Sequence, residues 1–381
     1  MMEALQLFNK NETYNGFYIM LMVNRLQLLY FFLIMPRYLI HPYMIWVIIL
    51  VGLLSQLNIL LLSRWFLTRF SSDGYNGFVQ LFGKKLVRFL SLVGLFFILL
   101  KLFVIMLGFT EIVQIFMFPA TDSNWLIFFI LLTCLYVAWK GVGKTIRFVI
   151  ISFFCTFWMF LFFVFFFFPP IAHLSDLYPI IPMELTRDSW KGILLILSSF
   201  SGPEFLVFLG PWFKANNRTF RYLSYGNALT VIEYVTFYMA SLFYFGSNYL
   251  SKTPFPIVTM ARYFQNPVIE RIDMVMLALE LFNIVFAGSI FLLLFYGASK
   301  VVNEKVYKPS SRIGFIFSVF IIFIGMLLVN EWIWKSDEKQ VVLLNLQIIA
   351  GSLSYFAVPI IIIVAMKIKG VHKHDTTKED G

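Results

Sequence analysis

The chain has 381 residues, of which 60% are hydrophobic and only 13% are charged. This composition excludes an ordinary soluble domain and indicates an integral membrane protein. The net charge of +10 is therefore interpreted as a topology signal and a contact for anionic lipid, and no nucleic-acid partner is predicted. Phe17 to Met35 lacks a small-residue cleavage site, so it is predicted to be an uncleaved first span.

Ten apolar segments have about the 20-residue length that one bilayer crossing needs. The fold class predicted is an all-α integral membrane protein with ten transmembrane helices. One membrane domain is expected over residues 1–368, followed by a short basic cytoplasmic tail at 369–381. The predicted spans are 15–35, 43–63, 90–117, 125–139, 146–168, 191–213, 222–246, 272–299, 313–334 and 341–366.

The basic residues test this span count. With ten spans, twenty lysines and arginines lie at the termini and in connections on one side of the membrane, and eight lie on the other side. Because cytoplasmic loops carry the excess of positive charge, both termini are predicted to be cytoplasmic. Ten spans divide into five and five, at about 15–168 and 191–366. An odd number inverts the second half, as a LeuT-like inverted-repeat transporter fold requires.

The sixth predicted span is interrupted by polar and helix-breaking residues. Proline has no N–H to donate, and glycine tolerates an unwound backbone. Broken backbone at membrane depth persists only where it is buried in protein or lines a cavity. A break with a mid-membrane carboxylate therefore predicts a transporter-type binding site. The candidate residues are Phe200, Ser201, Gly202, Pro203 and Glu204.

Two basic residues remain inside predicted spans, Arg25 in the first and Lys101 in the third. An intramembrane charge costs about 2.5–3.5 kcal/mol even on insertion scales, so such residues are expected to face the protein interior and to be paired. One interpretation makes them contacts for a zwitterionic ligand, and the other makes them structural bridges to glutamates. For Arg25 we predict an acidic partner on span six, seven or eight, with Glu204 as the best candidate. The intramembrane acidic residues are Glu111, Glu204, Glu233 and Glu280.

The sequence contains no residue pattern that is typical of a catalytic site or a metal site. Both cysteines, Cys134 and Cys155, fall inside apolar segments, so neither a disulfide framework nor a zinc site is predicted. No nucleophile and base are arranged together, so an enzyme is not predicted, and neither a cofactor nor a metal is expected.

The stretch from Ser199 to Lys214 resembles the sixth-helix motif of the B subunits of bacterial spore germinant receptors. In that family a small-Gly-x-Glu turn is followed by an apolar run, a proline and a basic residue. The resemblance continues through Pro256 to Arg262 and through Glu270-Arg271-Ile272-Asp273. The family is itself similar to amino acid–polyamine–organocation transporters.

This resemblance implies a nutrient sensor in the inner membrane of the spore that acts with a receptor A subunit and a lipoprotein C subunit. Its small amino acid-like ligand would bind at the broken sixth helix and trigger germination. Two alternatives stay open, a self-sufficient secondary transporter of amino acids or related small molecules, and a structural scaffold. The first span departs from the family pattern because it has no glycine between Asn24 and Phe31. A bulky, continuous first helix is therefore expected to fill part of the usual pocket.

Overall fold

The computed structural model describes residues 7–8, 12–33, 39, 41–169, 171–172, 174–181, 187–214, 216, 218–263, 271–308 and 310–369. Within these residues the chain is helical, and its β-structure is limited to an isolated bridge between Tyr14 and Phe213. Residues 370–381 of the predicted tail lie outside the described residues, as does Glu270. The all-helical class predicted from the sequence is confirmed.

Each predicted span contains a helix. Eight of the elements are long and apolar enough to cross a membrane, counting their short continuations. The two others are α1 and the shorter apolar α4. The helices are α1 (Gly16–Leu33), α2 (Met44–Phe66), α3 (Lys84–Phe116), α4 (Ser123–Trp139), α5 (Val142–Thr156), α6 (Arg187–Phe200), α7 (Thr219–Leu250), α8 (Ile272–Val302), α9 (Arg312–Val329) and α10 (Asp337–Ile368).

Several helices continue into, or are joined by, shorter helical pieces. The chain after α5 forms Met159–Phe163 and the 3-10 turn Val164–Phe167, and α9 runs into a π turn at Asn330–Trp334. Two short helices, Arg69–Ser72 and Tyr75–Phe82, connect α2 to α3. Another short helix, Pro256–Arg262, precedes α8.

Burial divides the helices into enclosed and peripheral ones. In α8, 78% of the apolar window is buried, whereas in the region of α9 the share is 28%. The enclosed helix α8 packs against α3, α4 and α5, and α1 packs against α7, α5 and α6. Apolar side chains on the outside of α9 need no protein partner in lipid, but polar groups on α1 and α8 do. The charged side chains buried on these two helices, Arg25 of α1 and Asp273 and Glu280 of α8, are therefore enclosed by the bundle.

Candidate functional site

The sixth helix is broken where the sequence predicts. The α-helical part, α6, ends at Phe200, and a 3-10 segment follows from Pro203 to Trp212. Between them Gly202 has φ 148 and ψ −49, a region that residues with a Cβ rarely adopt. Pro203 then starts the second half, where its missing N–H costs nothing. The interruption at residues 201–204 is confirmed.

The carbonyl groups freed at the end of α6 are bound by side chains of two other helices. The Lys101 ammonium group of α3 donates to the Ser201 carbonyl at 2.5 Å and to the Ser201 hydroxyl at 2.8 Å. The Tyr234 hydroxyl of α7 donates to the Ser199 carbonyl at 3.1 Å. The negative end of a helix favours a cation, and Lys101 supplies it.

The Gly202 N–H, just before the 3-10 segment, faces the Glu204 carboxylate. Its Oε2 accepts from the Gly202 N–H at 2.5 Å. Its Oε1 accepts from the Ser201 hydroxyl at 2.7 Å and from the Ser354 hydroxyl of α10 at 3.1 Å. Lys101, Ser201 and Glu204 are all fully buried. The end of α6 is therefore bound by the Lys101 cation and the start of the 3-10 segment by the Glu204 carboxylate. Both charged groups also bind the Ser201 hydroxyl.

Aromatic rings surround this charge pair. Phe200 packs edge-on against Tyr234, with ring centroids 5.0 Å apart. The Lys101 ammonium lies 5.5 Å from the centre of the Tyr30 ring and 5.7 Å from that of Phe205. Ring faces attract cations, and the attraction increases when water is excluded. The site therefore combines a cation-binding wall with the carboxylate of Glu204.

Helix α1 is continuous and covers the break. It runs from Gly16 to Leu33 without interruption. A Cβ placed on Gly202 would lie 2.8 Å from the Leu26 carbonyl oxygen and 2.9 Å from the Leu26 Cβ. The uninterrupted first helix predicted from its lack of glycine is confirmed, and it lies directly on the candidate site.

Gly202→Ala is expected to destabilise the protein. The left-handed φ would cost an alanine about 1–3 kcal/mol, and the added Cβ would meet the backbone of α1. Gly94→Ala in α3 is the matched control, because nothing lies within 4 Å of its added Cβ and alanine is favoured in a helix interior by about 1 kcal/mol. In thermal unfolding of the purified chain, Gly202→Ala should lower the melting temperature and Gly94→Ala should raise it. Equal melting temperatures would contradict the close contact between Gly202 and α1.

The acidic partner of Arg25 is Glu233 of α7. The distance from Arg25 Nη2 to Glu233 Oε1 is 2.7 Å, and both side chains are buried. Arg25 also donates to the Asn24 amide oxygen and to the Thr156 hydroxyl of α5. The predicted partner on span six, seven or eight is confirmed, but the choice of Glu204 is wrong. Successive residues of an α-helix point about 100° apart, so Leu26 faces the break while Arg25 faces α5 and α7.

Sequence reasoning did not select Tyr234 or Ser354 for the site. Both are polar residues inside apolar spans, as are Asn24 and Thr156, which complete the Arg25 cluster. Buried polar groups in a membrane need partners, and this was the available signal. The helix face on which each one lies depends on tertiary packing.

The fold is that of a helical membrane protein with several apolar helices of spanning length. The structure is similar to that of a mutant of the manganese transporter from Eremococcus coleocola, with a TM-score of 0.51 over 93% of this chain and 76% of that chain. Sequence identity is 11%, so the likeness shows a shared fold.

Sequence comparison identifies the family. The family model described as "Spore germination protein" matches residues 15–333, and the chain belongs to this spore germination protein family. It is 26% identical over 237 residues to spore germination protein GerQB of Bacillus cereus. That match covers 60% of this chain and 64% of the relative's length.

Proposed function

We propose that this chain is the nutrient-sensing membrane subunit of a spore germination receptor. A small amino acid-like ligand binds at the break in the sixth helix, and its binding is signalled to partner subunits. The observation that carries the proposal is the break itself, whose ends hold a buried cation and a buried carboxylate. Membership of the spore germination protein family supports the biological role.

The proposal includes an architecture and a location. The ten helices form ten spans in two inverted repeats of five, with both termini in the cytoplasm and the protein in the inner membrane of the spore. The excess of basic residues on one side supports this orientation. A receptor A subunit and a lipoprotein C subunit are the proposed partners, and the likeness to spore germination protein GerQB supports a role in germination.

In the closed site, the protein's own side chains take the positions that suit a zwitterion. The Lys101 ammonium binds the carbonyl end of α6, and the Glu204 carboxylate binds the N–H end of the 3-10 segment. An amino acid would present the same two groups. We propose that its ammonium group displaces Lys101 from the Ser201 carbonyl and uses Glu204 as its counter-charge.

A further acceptor lies on the face of α10 that contributes Ser354. The Gln347 amide oxygen, two turns earlier, is buried without a hydrogen-bond partner among the described residues. Buried polar atoms are nearly always hydrogen-bonded, so such an atom suits a ligand donor. Because Leu26 covers the break, α1 has to shift for a ligand to enter, and this shift is the proposed signal.

Lys101→Met tests the displacement step. The variant keeps an unbranched side chain one atom shorter and removes the ammonium group that competes with a ligand amine. In spores carrying it, we expect the concentration of an L-amino acid needed for half-maximal germination to fall about tenfold, which corresponds to about 1.4 kcal/mol. Each of the common L-amino acids is tested singly, with the amount of subunit measured by immunoblot.

Lys335→Met is the matched control, because Lys335 forms an exposed ion pair with Glu331 at 2.6 Å. Its response should equal that of the parent. An unchanged dose response in Lys101→Met spores that contain the subunit would contradict displacement of Lys101. If the methionine variant is not retained in the membrane, Lys101→Arg preserves the charge with a larger head group, and we expect it to raise the half-maximal concentration.

The transporter alternative is favoured by one observation, the fold shared with a transporter. Uptake of labelled amino acids into proteoliposomes that contain this chain alone separates the two functions. A sensor that needs its partner subunits is expected to give no uptake above that of empty liposomes. Robust uptake would replace the sensor by a self-sufficient transporter.

A further inference from the structure

The buried charges in the bundle do not balance. Among the described residues, two cations are buried in the helices, Arg25 and Lys101. Three carboxyl groups are buried with them: Glu204, Glu233 and Glu280. A fourth buried carboxylate, Asp273 at the start of α8, is separate because it pairs at 2.8 Å with the half-exposed Arg271. If all five groups were ionised, one negative charge would be left over.

Geometry assigns the excess to Glu280. Lys101 and Glu204 are linked through the Ser201 hydroxyl, at 2.8 and 2.7 Å. Arg25 is in direct contact with Glu233. Glu280 Oε1 instead accepts a hydrogen bond from the Asn283 amide at 2.9 Å, and the Asn283 oxygen accepts from the Ser152 hydroxyl at 3.3 Å. No described lysine or arginine forms an ion pair with Glu280.

The charged groups that act on Glu280 come from the two helices of the Arg25 cluster, Arg25 of α1 and Glu233 of α7. Helix α5 contributes the hydroxyls of Ser152 and Thr156. Helices α3 and α4 also pack on α8, but their buried titratable groups contact other residues. These groups are Lys101, which binds Ser201, and Cys134, whose sulfur lies against Gly288.

We propose that Glu280 is a proton-binding site. A lone ionised carboxylate in a low-dielectric interior is so costly that the group takes up a proton instead. The proton comes from water, is held on Oε2 while Oε1 accepts from Asn283, and returns to water on release. No other reactant is needed.

Release of this proton changes what Arg25 can bind. When Glu280 is neutral, Arg25 forms its ion pair with Glu233 alone, and this pair links α1 to α7. With Glu280 ionised, two carboxylates compete for one guanidinium group, and α1 is drawn towards α8. Since α1 covers the break in the sixth helix, the proton on Glu280 controls the helix that closes the site. This proton site is defined by the charge balance and does not depend on a nutrient ligand.

Infrared spectroscopy of the full chain in lipid nanodiscs tests the proposal directly. A protonated carboxylic acid has its own C=O stretch, which shifts in D2O and disappears on ionisation. We expect this band in the wild-type protein at pH 7 and its loss in Glu280→Gln. Glu111→Gln is the control that should keep it, because Glu111 is only half-buried and accepts hydrogen bonds from Trp334 and Gln340.

A second variant tests the link to Arg25. Glu233→Gln frees the guanidinium group for Glu280, so the band should disappear at a pH at least one unit lower than in the wild type. A wild-type spectrum without the band at neutral pH would overturn the proposal, and this measurement needs no variant to fold. A band that persists in Glu280→Gln would overturn the assignment to Glu280. If the band of Glu233→Gln disappears at the same pH as that of the wild type, the coupling to Arg25 is overturned.

Discussion

Arg25→Ala is expected to destabilise the folded protein by about 3–5 kcal/mol, the cost of removing one partner from a buried ion pair. The variant leaves the Glu233 carboxylate buried with the Asn24 amide, which donates to it at 2.6 Å. It also removes the cation that lies 5.1 Å from the centre of the Phe153 ring. The loss of stability is measured by unfolding the reconstituted chain, either by heating or by detergent titration.

A double-mutant cycle identifies the partner of Arg25. Arg25→Ala combined with Glu233→Ala should recover part of the loss, with a coupling energy of about 0.5–3 kcal/mol, the range for residues in contact. The same cycle between Arg25 and Glu204 is the control and should be additive, because the structure places Glu204 in the Lys101 cluster. Strict additivity between Arg25 and Glu233 would remove the ion pair that the structure shows.

The membrane class and the position of the break could be predicted from the sequence because both depend on local chemistry. Apolar segments of spanning length need no tertiary information. Gly202 and Pro203 disrupt a helix wherever it packs. The end of α6 at Phe200 and the unusual φ of Gly202 follow from these properties.

The pairing of charges was not predictable in the same way. Glu204 was chosen as the partner of Arg25 because both residues lie near mid-depth in the membrane. Depth alone does not tell in which direction a side chain points around its helix axis. At this level α1 turns Leu26 towards the break and Arg25 towards α7. The helix face is set by packing against neighbouring helices, and one residue along α1 changes the partner.

Helix ends show the same limit. The third predicted span starts at residue 90, whereas α3 begins at Lys84. Its first turns carry Lys84, Lys85 and Arg88, which a hydropathy pattern assigns to a loop. Charged residues extend a helix past the apolar core without cost because their side chains reach water.

Glu204→Gln is expected to reduce nutrient-triggered germination at least about tenfold, equivalent to about 1.4 kcal/mol, while the amount of subunit stays near normal. Glutamine keeps the shape of the side chain and one acceptor oxygen. It removes the counter-charge of Lys101 and one of the two oxygens that bind Gly202, Ser201 and Ser354. The measurement is the germination rate of spores over a range of L-amino acid concentrations, with immunoblots of the membrane fraction.

The matched control for this prediction is Glu338→Gln, since Glu338 is an exposed carboxylate in the first turn of α10. That variant should germinate like the parent. One further variant, Glu204→Asp, distinguishes a packing role from a charge role for Glu204. Aspartate keeps the negative charge, but its side chain is one methylene group shorter. If charge is what matters, the aspartate retains more response than the glutamine. If Glu204→Gln spores respond like the parent, the broken helix is a structural feature of the bundle and the ligand site lies elsewhere.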